Sequence, residues 1–230
     1  MRQWGFSWPI FVPAAVVEGV FLQPFGGRIV DDAESEFLMD EDAAVEALQF
    51  WIDLHQVHGV TAPQAIFNQN NAAMEFNGSW NIPSKLASVT TQWDVAHVPA
   101  GPAKRSTAAA GSAFAITEAS NAKDAAWLYL KELLSPEGQS FMWGTTGRGS
   151  PSRRSVWPVF LDSPGAPANG QVFPDALVGY ASIGHPIGAS AQAANNAIFE
   201  NIPRAIQGEI SLPSALETIR TAIEPRLNRE

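Results

Sequence analysis

The sequence contains no cysteine. Disulfides, thiolate nucleophiles and cysteine-ligated zinc sites are therefore excluded. Positive charge is scarce as well: 14 Lys and Arg residues stand against 23 Asp and Glu, for a formal net charge of -9. Lys104-Arg105 and Arg153-Arg154 are the only adjacent basic pairs. No basic stripe exists to track a phosphate backbone, so nucleic acid is not an expected partner. Unbroken apolar runs are missing too. The most apolar stretch near the start, Trp8 to Phe25, is interrupted by Pro9, Pro13 and Pro24 and carries Glu18, which argues against a membrane span. The opening Met1-Arg2-Gln3-Trp4-Gly5-Phe6 has one basic residue and passes straight into strand-like sequence, unlike an export signal.

Catalytic signatures are equally sparse. There is no Gly-x-Ser-x-Gly elbow and no phosphate loop closing on Gly-Lys-Ser/Thr. The run Gly144-Thr-Thr-Gly-Arg-Gly-Ser150 is rich in glycine but lacks the lysine. The four histidines, His55, His58, His97 and His185, sit in no triad context. His55 and His58 lie one helical turn apart without an evident third ligand, so they read as ordinary helix-flank residues and no metal or other cofactor is expected. Seven acids between Asp31 and Asp42 lack the alternating ligands and central glycine of a calcium loop and read as a solvated turn. A glycosidase's paired carboxylates are set by spatial distance, so sequence leaves that possibility open.

What is present is a globular composition: 46% hydrophobic and 16% charged over 230 residues, enough for one large domain or two small ones. Strands alternate with helices, which gives the α/β class. Trp4 to Ser7 reads as a strand. Asp40 is the expected cap of a helix carrying Ala44, Val45, Leu48, Trp51, Ile52 and His55 at helical spacing, stopped at Gly59. A strand over Ala73 to Phe76 ends in Asn77-Gly78-Ser79-Trp80, followed by a short helix to Ser88. Further strands are expected over 93–98 and 109–116, separated by the breaker cluster Pro99-Ala100-Gly101-Pro102. A helix follows from Asn121 to Leu134, then a second capped by Ser135 with Pro136 in its first turn. After a loop-rich stretch over 144–174, two helices are expected over 192–207 and 213–227, with Gly208 between them.

Tryptophan is abundant, with eight copies. An indole offers a broad apolar face and one polar donor at low entropic cost. That suits the C–H face of a sugar ring, whose hydroxyl rim neighbouring polar groups can meet. Trp51 and Trp127 lie on helix faces and are expected in the core. Trp80 follows a strand end and opens a helix, which is where ligands meet α/β sheets.

The ordered set of segments resembles one family. Phe67 to Trp80 is similar to its short helix, small-residue strand and Gly-Ser-Trp ending. Trp93-Asp-Val-Ala-His-Val-Pro99-Ala-Gly-Pro102 is similar to its proline-rich crossing. Ala110-Gly-Ser-Ala-Phe-Ala-Ile116, the helices from Lys123 to Gly138, and Gly147-Arg-Gly-Ser-Pro-Ser-Arg153 continue the likeness in order. The family is that of extracytoplasmic solute-binding proteins of carbohydrate-type ABC transporters, which includes maltose-binding proteins.

This resemblance implies a periplasmic-binding-protein-like fold of two α/β lobes that close on ligand. Residues 1–99 and 135–230 would form the C-terminal lobe, and 100–134 a strand-helix excursion into the N-terminal lobe. The family's first lobe and export signal would precede Met1, so the chain is expected to be a C-terminal portion. The implied ligand-binding residues are Trp8, Ser79, Trp80, Gly111, Ser112, Arg148 and His185. The implied partners are a small sugar and the membrane permease of an ABC importer, with no insertion of this chain into the membrane. The implied location is periplasmic, or extracellular and membrane-attached. No catalysis is implied. The competing readings are a glycoside hydrolase with an aromatic-lined cleft and an interaction fragment of a split binding protein.

Overall fold

The computed structural model describes residues 3–7, 13–62, 66–145, 149–184 and 186–228. The chain opens with β1 (Trp4–Ser7). A continuous helical run follows, as α1 (Ala14–Val16), a π-helix over Val17–Leu22 and a 3-10 turn over Gln23–Phe25. Next come α2 (Asp42–Gln56), β2 (Thr61–Ala62), a 3-10 turn over Phe67–Gln69, β3 (Ala72–Glu75), a 3-10 turn over Ser79–Asn81 and α3 (Ile82–Ser88). The second half holds β4 (Thr107–Ala108), α4 (Lys123–Leu133), α5 (Pro136–Gln139), α6 (Trp157–Leu161), α7 (Val172–Gly179), β5 (Ala181–Ser182), α8 (Ala191–Ile206) and α9 (Leu212–Ile223). No helix among the described residues is long and apolar enough to cross a membrane.

The sheet is parallel, in the order β2-β1-β3. Phe6 lies opposite both Thr61 and Met74, and Ser7 opposite both Ala62 and Glu75. Parallel pairing aligns the carboxyl ends of the three strands at one edge. The main core is formed by the helical run over 14–25 with α2, α8 and α9, and the sheet packs against it through Phe6. In α8 the buried residues are Ala194, Ala197, Ile198, Asn201, Ile202, Ala205 and Ile206, the i, i+3, i+4, i+7 stripe of a helix covered along one face. α9 answers with Leu212, Ala215, Leu216, Ile219 and Ile223, and α2 with Ala44, Ala47, Leu48, Trp51 and Ile52. Trp51 is in the core as expected, stacked on Phe21 at 4.5 Å.

A buried polar cluster ties the π-helix to the segment before β4. Glu18 is fully buried in the π-helix. Its carboxylate accepts from Arg28 Nε at 2.8 Å, Gln23 Nε2 at 3.3 Å and the Ile29 amide at 2.6 Å. Ser106 Oγ donates to Gln23 Oε1 at 3.0 Å, which links the cluster to β4. Gly19 is required beside it, because a Cβ there would run into the Thr107 and Ala108 backbone. Burial pushes the Glu18 pKa up, against the lowering effects of the Ile29 amide, Gln23 and Arg28.

Several expectations need correction. Glu41, not Asp40, is the N-cap of α2; the Asp40 carboxylate is instead taken by Arg220 of α9. Neither 93–98 nor 109–116 is a strand; the strand in this part of the chain, β4, stops at Ala108. Ala109 still donates to Ser182 at 2.7 Å, but beyond it no strand lies alongside, and alternation without a ladder partner does not make a strand. Trp127 is not core: it is 59% exposed. Glu34, expected in a solvated turn, is buried, and its carboxylate accepts from the Ile187 and Gly188 amides. The loop-rich stretch also contains α6, and α7 begins at its end; periodicity revealed neither.

Candidate functional site

The site is built on the carboxyl edge of the sheet. Phe76, just past β3, packs its ring on Phe6 at 5.4 Å and Trp51 at 5.7 Å. With Phe76 anchored inward, the chain turns outward through Asn77 and Gly78 into the 3-10 turn Ser79–Asn81. Ile82 then buries itself at the start of α3. Trp80 is thereby left on the surface between two anchors, 57% exposed. An indole with this exposure at a parallel-sheet edge presents an apolar face to whatever enters there.

Polar contacts fix the turn. Asn77 Nδ2 donates to Glu75 Oε1 at 3.1 Å, and the Gly78 amide donates to Asn77 Oδ1 at 2.9 Å. Glu75 pairs with the buried Lys85 of α3. Lys85 Nζ also donates to Asn68 Oδ1 at 2.5 Å and lies 4.9 Å from the centre of the Phe67 ring. A cation taken out of water needs this set of partners. Ser79 Oγ accepts from the Ser150 amide at 3.0 Å and lies 3.3 Å from Ser150 Oγ. Ser79, Trp80 and the loop at 149–150 are therefore neighbours, as a Cβ on Gly149 would touch both Ser79 and Trp80. That loop is pinned further along, where Trp157 Nε1 donates to the Pro151 carbonyl at 2.9 Å and the buried Gln139 bonds Ser152 and the Arg153 amide.

Of the residues singled out from sequence, Ser79 and Trp80 come together. Gly111 and Ser112 lie apart from them on the exposed extension after β4, and no atom lies within 4 Å of where a Gly111 Cβ would stand. Trp8, Arg148 and His185 fall outside the described residues. Sequence reasoning missed Glu75, Lys85 and Asn68. Their signal was the proximity of a lysine on α3 to an acid at the strand end, which only the fold makes visible. Among the described residues no group of three or more His, Asp or Glu is placed to hold a metal ion. His97 bonds Tyr180 through Nδ1 at 2.7 Å instead.

Solved structures of similar fold are plentiful. UspC of M. tuberculosis superposes with a TM-score of 0.70 at 24% identity, over 98% of this chain and 58% of its own. A solute-binding protein of an ABC transporter from Thermotoga lettingae, bound with alpha-D-tagatose, gives 0.77 at 22% identity, over 98% and 58%. Maltose-bound MalE3 of T. maritima gives 0.77 at 24% identity, over 98% and 61%. The chain thus spans about three-fifths of the length of these proteins. No curated protein matches the chain in sequence. The fold is periplasmic-binding-protein-like, as the resemblance implied. The family model described as bacterial extracellular solute-binding protein matches residues 3–171, and the chain belongs to that family.

Proposed function

We propose that this chain carries one side of a carbohydrate-binding cleft and serves a binding protein that passes its sugar to an ABC importer outside the cytoplasm, without catalysis. The observation that carries the reading is the half-exposed indole of Trp80 on the carboxyl edge of a parallel sheet, held by a turn whose polar groups are already paired. Its apolar face suits the C–H face of a pyranose or furanose ring. Ser79 and the 149–150 loop line the same edge, with Trp8, Arg148 and His185 as further contacts. Sugars bound by proteins of this fold, maltose and tagatose among them, set the first panel to try.

The same proposal assigns residues 100–134 to the opposite lobe, and 1–99 and 135–230 to this one. Phe114, Trp127, Leu128 and Tyr129 are 48%, 59%, 63% and 66% exposed. Four large apolar side chains are thus left uncovered within this one segment. This observation also favours an interaction reading: the segment meets a first lobe, and Gly111 and Ser112 approach the sugar once it is paired there. The permease of the importer is the further partner.

Saturation-transfer NMR of the chain with maltose, maltotriose and tagatose tests the reading. One of the three is expected to show transfer that Trp80→Ala removes. A hot-spot aromatic of this kind contributes about 2 kcal/mol or more. Cleavage of the sugar during the experiment, or transfer unchanged by Trp80→Ala, contradicts it.

A further inference from the structure

We infer that Gly78 is a positioning residue for the Trp80 platform, because the indole lies across its α-carbon. This rests on the reading of Trp80 as a sugar platform and deepens it. A Cβ built on Gly78 would overlap Cζ3, Cη2 and Cε3 of Trp80, the outer edge of the six-membered ring. Backbone conformation does not demand glycine here. Gly78 has φ -98° and ψ 166°, an extended geometry open to any residue. The requirement is purely steric, and it comes from the Trp80 side chain.

Gly78 cannot retreat to make room. Its amide is held by Asn77 Oδ1, Asn77 is held by Glu75, and Glu75 is paired with the buried Lys85. Its carbonyl accepts from the Asn81 amide at 3.0 Å. On the far side, Ser79 is bonded to Ser150. Backbone is thus fixed on both flanks, while the obstructing atoms belong to the tip of an exposed side chain that can rotate. A methyl group at position 78 therefore moves the ring and leaves the turn in place. The outer edge of the ring rests against Gly78 while more than half of the residue stays exposed, which leaves the indole open to a ligand ring. Once displaced, it no longer holds that orientation. Gly78 thus matters to ligand recognition and little to stability, the reverse of a glycine required by a turn.

The test compares four forms of the full chain: wild type, Gly78→Ala, Trp80→Ala and the double variant. Each is measured by near-ultraviolet circular dichroism, thermal melting and saturation transfer to whichever of maltose, maltotriose and tagatose the wild-type chain holds. Gly78→Ala is expected to keep the melting temperature within about 2 °C and to weaken sugar binding about tenfold. It should also change the tryptophan dichroism, and that change should vanish when Gly78→Ala is made in the Trp80→Ala background, since both act through one ring. An equal dichroism change in both backgrounds, or none in either, overturns the inference. Coupled dichroism with saturation transfer identical in all four forms upholds the steric relation but rejects Trp80 as a platform. A melting temperature lowered by Gly78→Ala to the same degree in both backgrounds shows that the turn itself needs the glycine, and also overturns the inference.

Discussion

Helices α8 and α4 meet opposite fates. α8 (Ala191–Ile206) buries seven residues along one stripe, facing α9 and α2. α4 (Lys123–Leu133) is also amphipathic, and it buries none. Trp127, the residue of α4 with most apolar surface to hide, stays 59% exposed, whereas Trp51 on α2 is 7% exposed. Both tryptophans lie on amphipathic helices. A periodic stripe specifies which face of a helix will be covered. It does not supply the cover. For α8 and α2 the cover is within the body of the molecule; for α4 nothing in the described residues provides it.

This contrast is open to direct attack. The largest effect is expected from Ile198→Ala. Ile198 is fully buried in α8, and truncation should cost about 3 kcal/mol of folding free energy, counting the cavity left behind. Trp127→Ala, a larger truncation, should cost less than about 0.5 kcal/mol in the chain alone. Urea denaturation of both variants gives the comparison, and a loss for Trp127→Ala as large as for Ile198→Ala would mean that α4 is packed after all.

Caps sharpen it at smaller scale. Ser211 Oγ accepts from the Ser214 amide at 3.3 Å to start α9, and Ser135 Oγ accepts from the Gly138 amide at 3.0 Å to start α5. Both caps look alike locally. Ser211→Ala should lower global stability by about 1 kcal/mol, because α9 is part of the core. Ser135→Ala should shift the melting temperature less, because α5 continues from an unburied helix. Equal shifts would place both segments in one cooperative unit.

The smallest effect concerns pH. Burial raises the Glu18 pKa in the folded state above its ordinary value of 4.5. A raised value means that folded protein binds more protons than unfolded protein in the interval above 4.5. Stability from this group is therefore complete below 4.5 and declines as pH rises through the folded-state value. Asp31 works in the other direction. The Glu36 amide, followed by Ser35, holds its pKa below the ordinary 3.8, so its contribution is present above that value and fades as pH falls. Glu18→Gln should flatten the decline above 4.5 and leave the acid limb unchanged. Urea midpoints from pH 3 to pH 7 measure both limbs, and an unaltered profile in Glu18→Gln would show that its charge is compensated by Arg28.

Much of the body was legible in the sequence. The periodicity of α2, α8 and α9 was strong because each buries a full stripe. The strand before Asn77-Gly78 was bounded by turn residues, and Ser135-Pro136 announced its helix. Three features escaped for physical reasons. Alternation over 93–98 was read as a strand, and another was expected over 109–116, yet a strand needs a neighbour to satisfy its amides. The burial of Glu34 depends on two amides more than 150 positions away. The support beneath Trp80 joins Asn68, Glu75 and Lys85 across three elements. For the proposed site, the position of Ser79 and Trp80 at the strand end was legible because turn residues bound the strand there; the steric demand on Gly78 was not, because it depends on which way one indole folds.

Affinity for the best-held sugar of the panel is the most direct test that this chain holds half of a two-sided cleft. It is to be measured by titration calorimetry on the chain alone and on the chain with a first lobe of the family fused ahead of it. A complete cleft binding at about 1 μM corresponds to roughly -8 kcal/mol, and half of those contacts leave an affinity in about the millimolar range. The expected result is millimolar binding by the chain alone and at least about a hundredfold tighter binding by the fusion, with α4 newly protected from hydrogen exchange. Micromolar binding by the monomeric chain alone, with α4 still exposed, would contradict it.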